Sequence, residues 1–215
     1  MRIYAMIGAL LAWLALVLQL YLVIVQSPPG LAMLGELITY FSFFTILTNL
    51  LVALVFTAIA MRRATGWAQF FVTPSVQGGA AVYIAIVGIV YQLLLRQLWN
   101  PKGAQLLADM LLHAVVPLGY VVYWLIFAPR TGLTWRDAVF WLVYPGVYLL
   151  YVLARGAVTG LYPYPFVDVK VLGYAGVLAR AAALMAVFLG MGLLLVAVGR
   201  WMRVPKGWIR PSLRN

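Results

Sequence analysis

Cysteine is absent from this 215-residue chain, histidine occurs once, and four acidic residues stand against 15 Lys and Arg. With no thiol there is no disulfide, no thiolate nucleophile and no thiolate metal site, and one histidine cannot build a multi-histidine metal cluster within one chain. No metal and no other cofactor is expected. Charge is scarce too: 9% of residues are charged and 66% hydrophobic, with a mean hydropathy of +1.03, outside the range of water-soluble proteins. The net charge of +11 does not call for nucleic acid, because the basic residues cluster at the ends of apolar runs instead of forming a stripe with interleaved aromatics. Composition therefore reads as an integral membrane protein with no nucleic-acid partner.

What the chain does have is apolar length. Six runs approach the roughly 20 residues that a bilayer requires: 4–25, 37–61, 79–95, 104–128, 138–154 and 171–198. The first follows Arg2 and reaches spanning length, so it is expected to be a retained helix and not a cleaved signal peptide. Turn chemistry separates the runs at Ser27-Pro28-Pro29-Gly30, Asn100-Pro101-Lys102-Gly103, Pro129-Arg130-Thr131-Gly132 and Thr159-Gly160-Leu161-Tyr162-Pro163. The segment from Trp67 to Phe71 is expected in the interface. No repeat or domain boundary is visible, so the expected fold is all-α: a single polytopic six-transmembrane helical bundle over 1–215. Arg2, Arg62, Arg63, Arg130, Arg136 and the basic tail 199–215 then fall on one side. Arg96, Lys102, Arg155 and Lys170 fall on the other, which places both termini in the cytoplasm. Arg180, inside the last run, is expected to snorkel or to pair with an interior acid. The tail, with Trp201 and Trp208, reads as an anchor on an anionic inner leaflet.

The single histidine, His113, lies inside the fourth run, four residues after Asp109 and four before Pro117. On a helix Asp109 and His113 share a face, so the carboxylate can hold one imidazole nitrogen and leave the other free. Pro117 lacks the amide that would bond the His113 carbonyl and should bend the helix there. Ionisable groups are expensive in a membrane and are read first as functional.

The second run carries Thr39, Ser42, Thr45, Thr48, Asn49 and Thr57. Thr45 and Asn49 share a helical face, and so do Ser42 and Thr45. With both helices running in the same direction, Thr45 and His113 lie at similar depth, roughly 12 to 14 Å into the outer half of the membrane. A hydroxyl and an imidazole at one depth suggest acyl transfer, in which imidazole takes the threonine proton and the oxygen attacks an ester. Asp109 would orient the histidine and Asn49 would donate to the oxyanion. The Gly-x-Ser-x-Gly elbow of soluble hydrolases is absent. Against this stands the common role of such residues: membrane threonines usually bond their own backbone or a neighbouring helix, and Asn49 is as readily helix–helix glue. Tyr83, Tyr91, Tyr120, Tyr123, Tyr148 and Tyr151 read as packing or interface residues with satisfied hydroxyls.

Three short motifs carry a resemblance: Phe44-Thr45-Ile46-Leu47-Thr48-Asn49, Leu112-His113-Ala114-Val115-Val116-Pro117, and Thr159 to Asp168 with its Tyr164-Pro165-Phe166 element. In order and spacing the chain resembles the androgen-induced-gene family and its bacterial relatives. The resemblance implies a multipass threonine hydrolase of the kind that cleaves fatty acid esters of hydroxy fatty acids, in a bacterial cytoplasmic membrane. By the same resemblance the threonine falls on Thr45, with Thr48 as the alternative, and the histidine on His113. Tyr164, Pro165, Phe166 and Asp168 form a loop that would cap an outer-leaflet site. Membrane lipids or fatty acid esters are the expected substrates, and transfer to another lipid is a close variant. Two other classes remain beside this one. The first is a non-catalytic lipid-binding or proton-coupled transport protein that uses Asp109 and His113 as a relay. The second is a structural subunit in which Asp109 and Arg180 close an internal pair.

Overall fold

The computed structural model describes residues 1–61 and 65–202, and among them there is helix but no strand. Helix α1 covers Arg2–Gln26, α2 Leu31–Tyr40, α3 Phe44–Ala60 and the short α4 Trp67–Phe71. Helix α5, Pro74–Val90, runs on through a π-helical segment, Tyr91–Leu95, and a 3-10 turn, Arg96–Leu98. Helix α6, Ala104–Met110, continues through a second π segment, Leu111–Val115, into α7, Val116–Phe127. Then come α8, Trp135–Phe140, α9, Val143–Thr159, a 3-10 turn at Pro165–Val167 and α10, Val169–Trp201. Five helical stretches are long and apolar enough to cross a bilayer, and there are six if α2 and α3, bent by 66°, form one broken span.

The outer surfaces of these helices are apolar. Leu10 is 68% exposed, Leu118 67% and Leu150 70%, a surface that lipid tolerates and water does not. The core forms around α3, which packs against α1 on one side and α5 on the other, with α7 and α10 also resting on α5. Its buried positions include Val52, Ala53, Val55 and Phe56. At the end of the bundle away from His113, a side-chain carbon added at Gly78 or Gly79 would stand 2.7 or 2.9 Å from the Trp141 ring. Only glycine lets that indole lie flat on α5.

Three expectations need correction. The run over 37–61 is not one helix: the chain leaves helical geometry after Tyr40 and resumes at Phe44, so Ser42 and Thr45 do not share a helical face. No glycine or proline lies at this break. The break is held from α9, where the Tyr148 hydroxyl donates to the Ser42 carbonyl at 2.9 Å and the Tyr151 hydroxyl meets Ser42 Oγ at 2.7 Å. The run over 138–154 is longer than read, since α8 and α9 together form a span over Trp135–Thr159. A turn at Trp141 and Leu142 separates them, as fits Pro145, which has no amide for the Trp141 carbonyl. Tyr83 donates its hydroxyl to that carbonyl instead, at 2.8 Å. Arg180 is exposed and makes no ion pair with Asp109, whose carboxylate lies instead against His113 Nδ1. Arg62, Arg63 and most of the basic tail, 203–215 with Trp208, lie outside the described residues.

Candidate functional site

His113 sits in the middle of the π segment Leu111–Val115, just before Pro117. A π turn inserts one residue into the helix and re-aims side chains, and such turns concentrate at functional sites. His113 Nδ1 is 3.1 Å from Asp109 Oδ1 and 3.1 Å from the Asp109 carbonyl. Nε2 has no hydrogen-bond partner among the described residues, and His113 lines two cavities. Sequence reasoning missed the residue that locks this pair. Tyr91, at the start of the other π segment, stacks on the imidazole with ring centres 3.7 Å apart and planes 14° from parallel. Its hydroxyl donates to Asp109 Oδ2 at 2.5 Å and accepts from Trp99 Nε1 at 3.1 Å. One aromatic ring thereby fixes both the histidine and its carboxylate. The two π segments face each other, a relation that no sequence pattern 22 positions apart (from 91 to 113) would announce.

Thr45 occupies the second position of α3, whose cap residue Phe43 has extended geometry. In the first turn of a helix the amides have no intrahelical acceptor, and residues there have no i−4 carbonyl in helical register. Two other hydroxyls of this run are satisfied locally: Ser42 donates to the Ile38 carbonyl at 2.6 Å and Thr57 to the Ala53 carbonyl at 2.7 Å. Thr39, which accepts from Arg155 at 2.8 Å, Thr48 and Thr45 have no such bond, and of the two in α3 Thr45 is the one that shares a cavity with His113. Its Oγ1 lies 3.4 Å from the Tyr164 hydroxyl, and its amide donates to that hydroxyl at 3.3 Å. Tyr164 is buried, and burial pushes its hydroxyl above the ordinary tyrosine value, so it stays protonated and remains a donor at neutral pH.

Thr48 and Asn49 stand elsewhere. Thr48 is fully buried, lies 3.4 Å from the Tyr144 hydroxyl and lines none of the cavities that meet Thr45 or His113. Asn49 is not placed as an oxyanion donor. Its amide nitrogen donates to the Thr45 carbonyl at 2.9 Å and to the Leu112 carbonyl at 3.2 Å, which uses both of its hydrogens. The π register explains the second bond, because the i→i+5 partner of Leu112 would be Pro117, which has no N–H. Asn49 thus ties the start of α3 to the histidine segment. In the 161–168 loop, Tyr164 reaches Thr45, Pro165 lines the same cavity and Phe166 stacks on Tyr164 at 5.0 Å. Asp168 does not join the site: it caps α10, accepting from the Lys170 amide at 2.9 Å.

Thr45, Asp109, His113, Tyr91 and Tyr164 line one cavity of about 360 Å³, within the range that holds a small ligand. Its floor is buried, while Glu36 and Trp99 at its rim are exposed and Gln19, Thr39 and Gln105 are half-buried. Thr45 and His113 face this shared space without a hydrogen bond between them. Two apolar chambers adjoin it. One, of about 90 Å³, lies between α3, α5, α9 and α10 and includes Thr45 and Tyr164. The other, of about 680 Å³, lies between α5, α7 and α10 and includes His113. Among the described residues no group of three or more acidic or histidine side chains could hold a metal ion. The chain matches no family model, no curated protein and no solved structure.

Proposed function

We propose that this membrane protein is an intramembrane hydrolase of lipid esters that uses Thr45 as nucleophile and His113 as base, in line with the resemblance to the androgen-induced-gene hydrolases. The observation that carries the reading is the single cavity in which a locally unsatisfied threonine hydroxyl, a histidine with one free nitrogen and a buried tyrosine hydroxyl meet. With an ester carbonyl in this space, Thr45 Oγ1 attacks the carbonyl carbon and its proton passes to His113 Nε2, directly or through one water. The oxyanion is met by Tyr164 and by first-turn amides of α3 that have no intrahelical acceptor, such as that of Thr45, which are oriented in advance and work in a low-dielectric surround. His113 returns the proton to the leaving alkoxide, and water then cleaves the acyl-threonine by the same route. Asp109 holds the ring by its Nδ1, and Tyr91 holds Asp109.

The same reading takes α2 and α3 as one broken span, which makes six spans with both termini in the cytoplasm of a bacterium and the site toward the outer leaflet. The basic residues on the connections support this orientation. One observation favours a variant: Thr45 and His113 share no hydrogen bond, and in the variant His113 is the base for an attacking water, with Thr45 and Tyr164 as donors. The lipid-binding or proton-relay reading uses the same cavity without chemistry.

The test is covalent labelling of purified wild-type, Thr45→Ala, Thr48→Ala and His113→Ala protein with a lipophilic fluorophosphonate, with the adduct located by mass spectrometry. The proposal expects an adduct on Thr45 that requires His113. Turnover of a lipid ester that survives Thr45→Ala would transfer the role to the activated water. Absence of both adduct and turnover in folded protein would leave the lipid-binding reading.

A further inference from the structure

One positive charge stands at the mouth of the cavity without an acid to balance it. Arg155, near the end of α9, is half-buried, and among the described residues no carboxylate lies within ion-pair distance of it. Of the five N–H groups of a guanidinium, two go to neutral acceptors: one nitrogen donates to Thr39 Oγ1 at 2.8 Å and another to the Leu161 carbonyl at 3.3 Å. Nε is buried with no partner. Thr39 carries this charge to the cavity, which it lines together with Thr45 and His113. Its oxygen accepts from Arg155 and its own hydrogen has no acceptor among the described residues, so the hydroxyl is polarised as a donor. A guanidinium held by neutral groups alone, at the edge of a membrane core, costs free energy that a counter-charge recovers. The nearest acid along α2, Glu36, stands exposed on the rim and has no side-chain partner among the described residues.

We infer that Arg155 and Thr39 form an anion subsite at the mouth of the cavity, where they hold the free carboxylate of a lipid ester whose carbonyl lies at Thr45. The inference rests on the hydrolase reading and adds the residues that recognise the charged end of the substrate and its distance from the reaction. Arg155 stands seven positions beyond Tyr148 on α9, and Tyr148 shares the small chamber with Thr45, so the charge lies roughly 10 Å along the bundle from the ester. Several methylenes must separate acid from ester to reach both. Such a lipid is held at two points: its carboxylate takes charge-assisted bonds from Arg155 and Thr39, and its chain lies against apolar residues of the cavity such as Phe43, Ile46 and Leu98. An uncharged head leaves Arg155 without a counter-charge. Glu36 opposes the anion from the rim, screened by its exposure to water. The phosphate of a neighbouring phospholipid offers the same charge as the carboxylate, and the experiment separates the two sources.

The experiment reads binding without turnover. Full-length protein in uncharged detergent micelles, at about pH 9 so that a micelle-bound fatty acid is ionised, is titrated with three brominated probes that share one chain and contain no carboxylic ester: 9,10-dibromostearate, 9,10-dibromooctadecanol and 9,10-dibromooctadecyl phosphocholine. Saturable quenching of Trp99, which lies on the cavity wall, is isolated by subtracting the signal of Trp99→Phe. The stearate should bind about ten-fold more tightly than the octadecanol, a difference of about 1.4 kcal/mol, and more tightly than the phosphocholine. Arg155→Gln should close the gap by weakening stearate alone, with unchanged octadecanol binding showing that the cavity is intact. Thr39→Val, which leaves Arg155 in place, should narrow the gap, and Glu36→Gln should widen it. Equal binding of stearate and octadecanol by wild type, or a gap that survives both Arg155→Gln and Thr39→Val, would overturn the inference. So would phosphocholine bound as tightly as stearate and lost with it in Arg155→Gln, which assigns the subsite to a neighbouring phospholipid. Because no probe carries a carboxylic ester, these outcomes are independent of whether Thr45 forms an adduct.

Discussion

The two ends of the bundle handle buried polar groups in opposite ways. Away from the histidine, Gln77 donates to the Val72 carbonyl at 2.7 Å and accepts from Tyr123 at 2.9 Å, while its own carbonyl accepts from Tyr120 at 3.2 Å. Asp137 accepts from Ser75 at 2.5 Å and from the Thr134 amide at 2.7 Å, closing a capping box at the start of α8. These groups are all paired, while Trp124 Nε1 and Arg130 Nε nearby are buried without a partner. At the His113 end, Asn49 Oδ1 is buried without a partner, the Thr45 contacts are as long as 3.3 and 3.4 Å, and two helices pass through π turns. A satisfied network stabilises one arrangement, whereas an incompletely satisfied one beside a cavity leaves capacity for a ligand. What sets the His113 end apart is that its loosely satisfied groups border a cavity.

Substitutions can sharpen that contrast. The largest effect is expected for Thr45→Ala and for His113→Ala, each lowering kcat/KM for a lipid ester by about 10³-fold or more, with thermal unfolding near that of wild type. A comparable fall in unfolding temperature would assign these residues to the fold. Asp109→Asn should lower turnover by about a hundred-fold in a protein still extracted in folded form, measured by single-turnover kinetics beside gel filtration. Unchanged turnover would make Asp109 a packing residue. Gln77→Leu tests the other end: it leaves the Tyr123 hydroxyl without its acceptor and should cost about 1–3 kcal/mol of stability, with turnover per folded molecule unchanged. Tyr91→Phe keeps the ring over His113 and removes only the bond to Asp109, so turnover should fall by about ten-fold with little change in KM. Tyr91→Leu, which also loses the stack, should fall further. Smallest of all is Thr48→Val, expected to stay within about two-fold of wild-type activity, since Thr48 lines none of the cavities that meet Thr45 or His113. A large loss there would return Thr48 to the site.

Much of the fold was legible because membrane spans obey a simple length rule. Apolar runs of sufficient length must satisfy their backbone internally and so become helices. The ends of those helices were less legible, because Trp135 and Thr159 lie in amphipathic stretches that hydropathy alone cuts off. In the site, the Asp109–His113 contact followed from an i, i+4 spacing within one element, whereas Tyr91 was read as packing because its partner lies on another helix. Asn49 was assigned a donor role that its two hydrogens cannot fill once they serve the Thr45 and Leu112 carbonyls.

The sequence by itself determined an apolar helical chain that leaves no place for cysteine or multi-histidine chemistry, with one histidine beside one aspartate and a proline that disturbs their helix. Those are consequences of composition and of spacing within single helices. Only the tertiary structure decided that the second span breaks at Ser42, because the groups holding the break are tyrosines more than 100 positions away on α9. It also brought the Tyr164 hydroxyl onto Thr45, and it left Glu36 without a partner on the rim of the same cavity. Hydrogen bonds between distant segments depend on how helices pack, and packing is a property of the whole bundle that no local pattern contains.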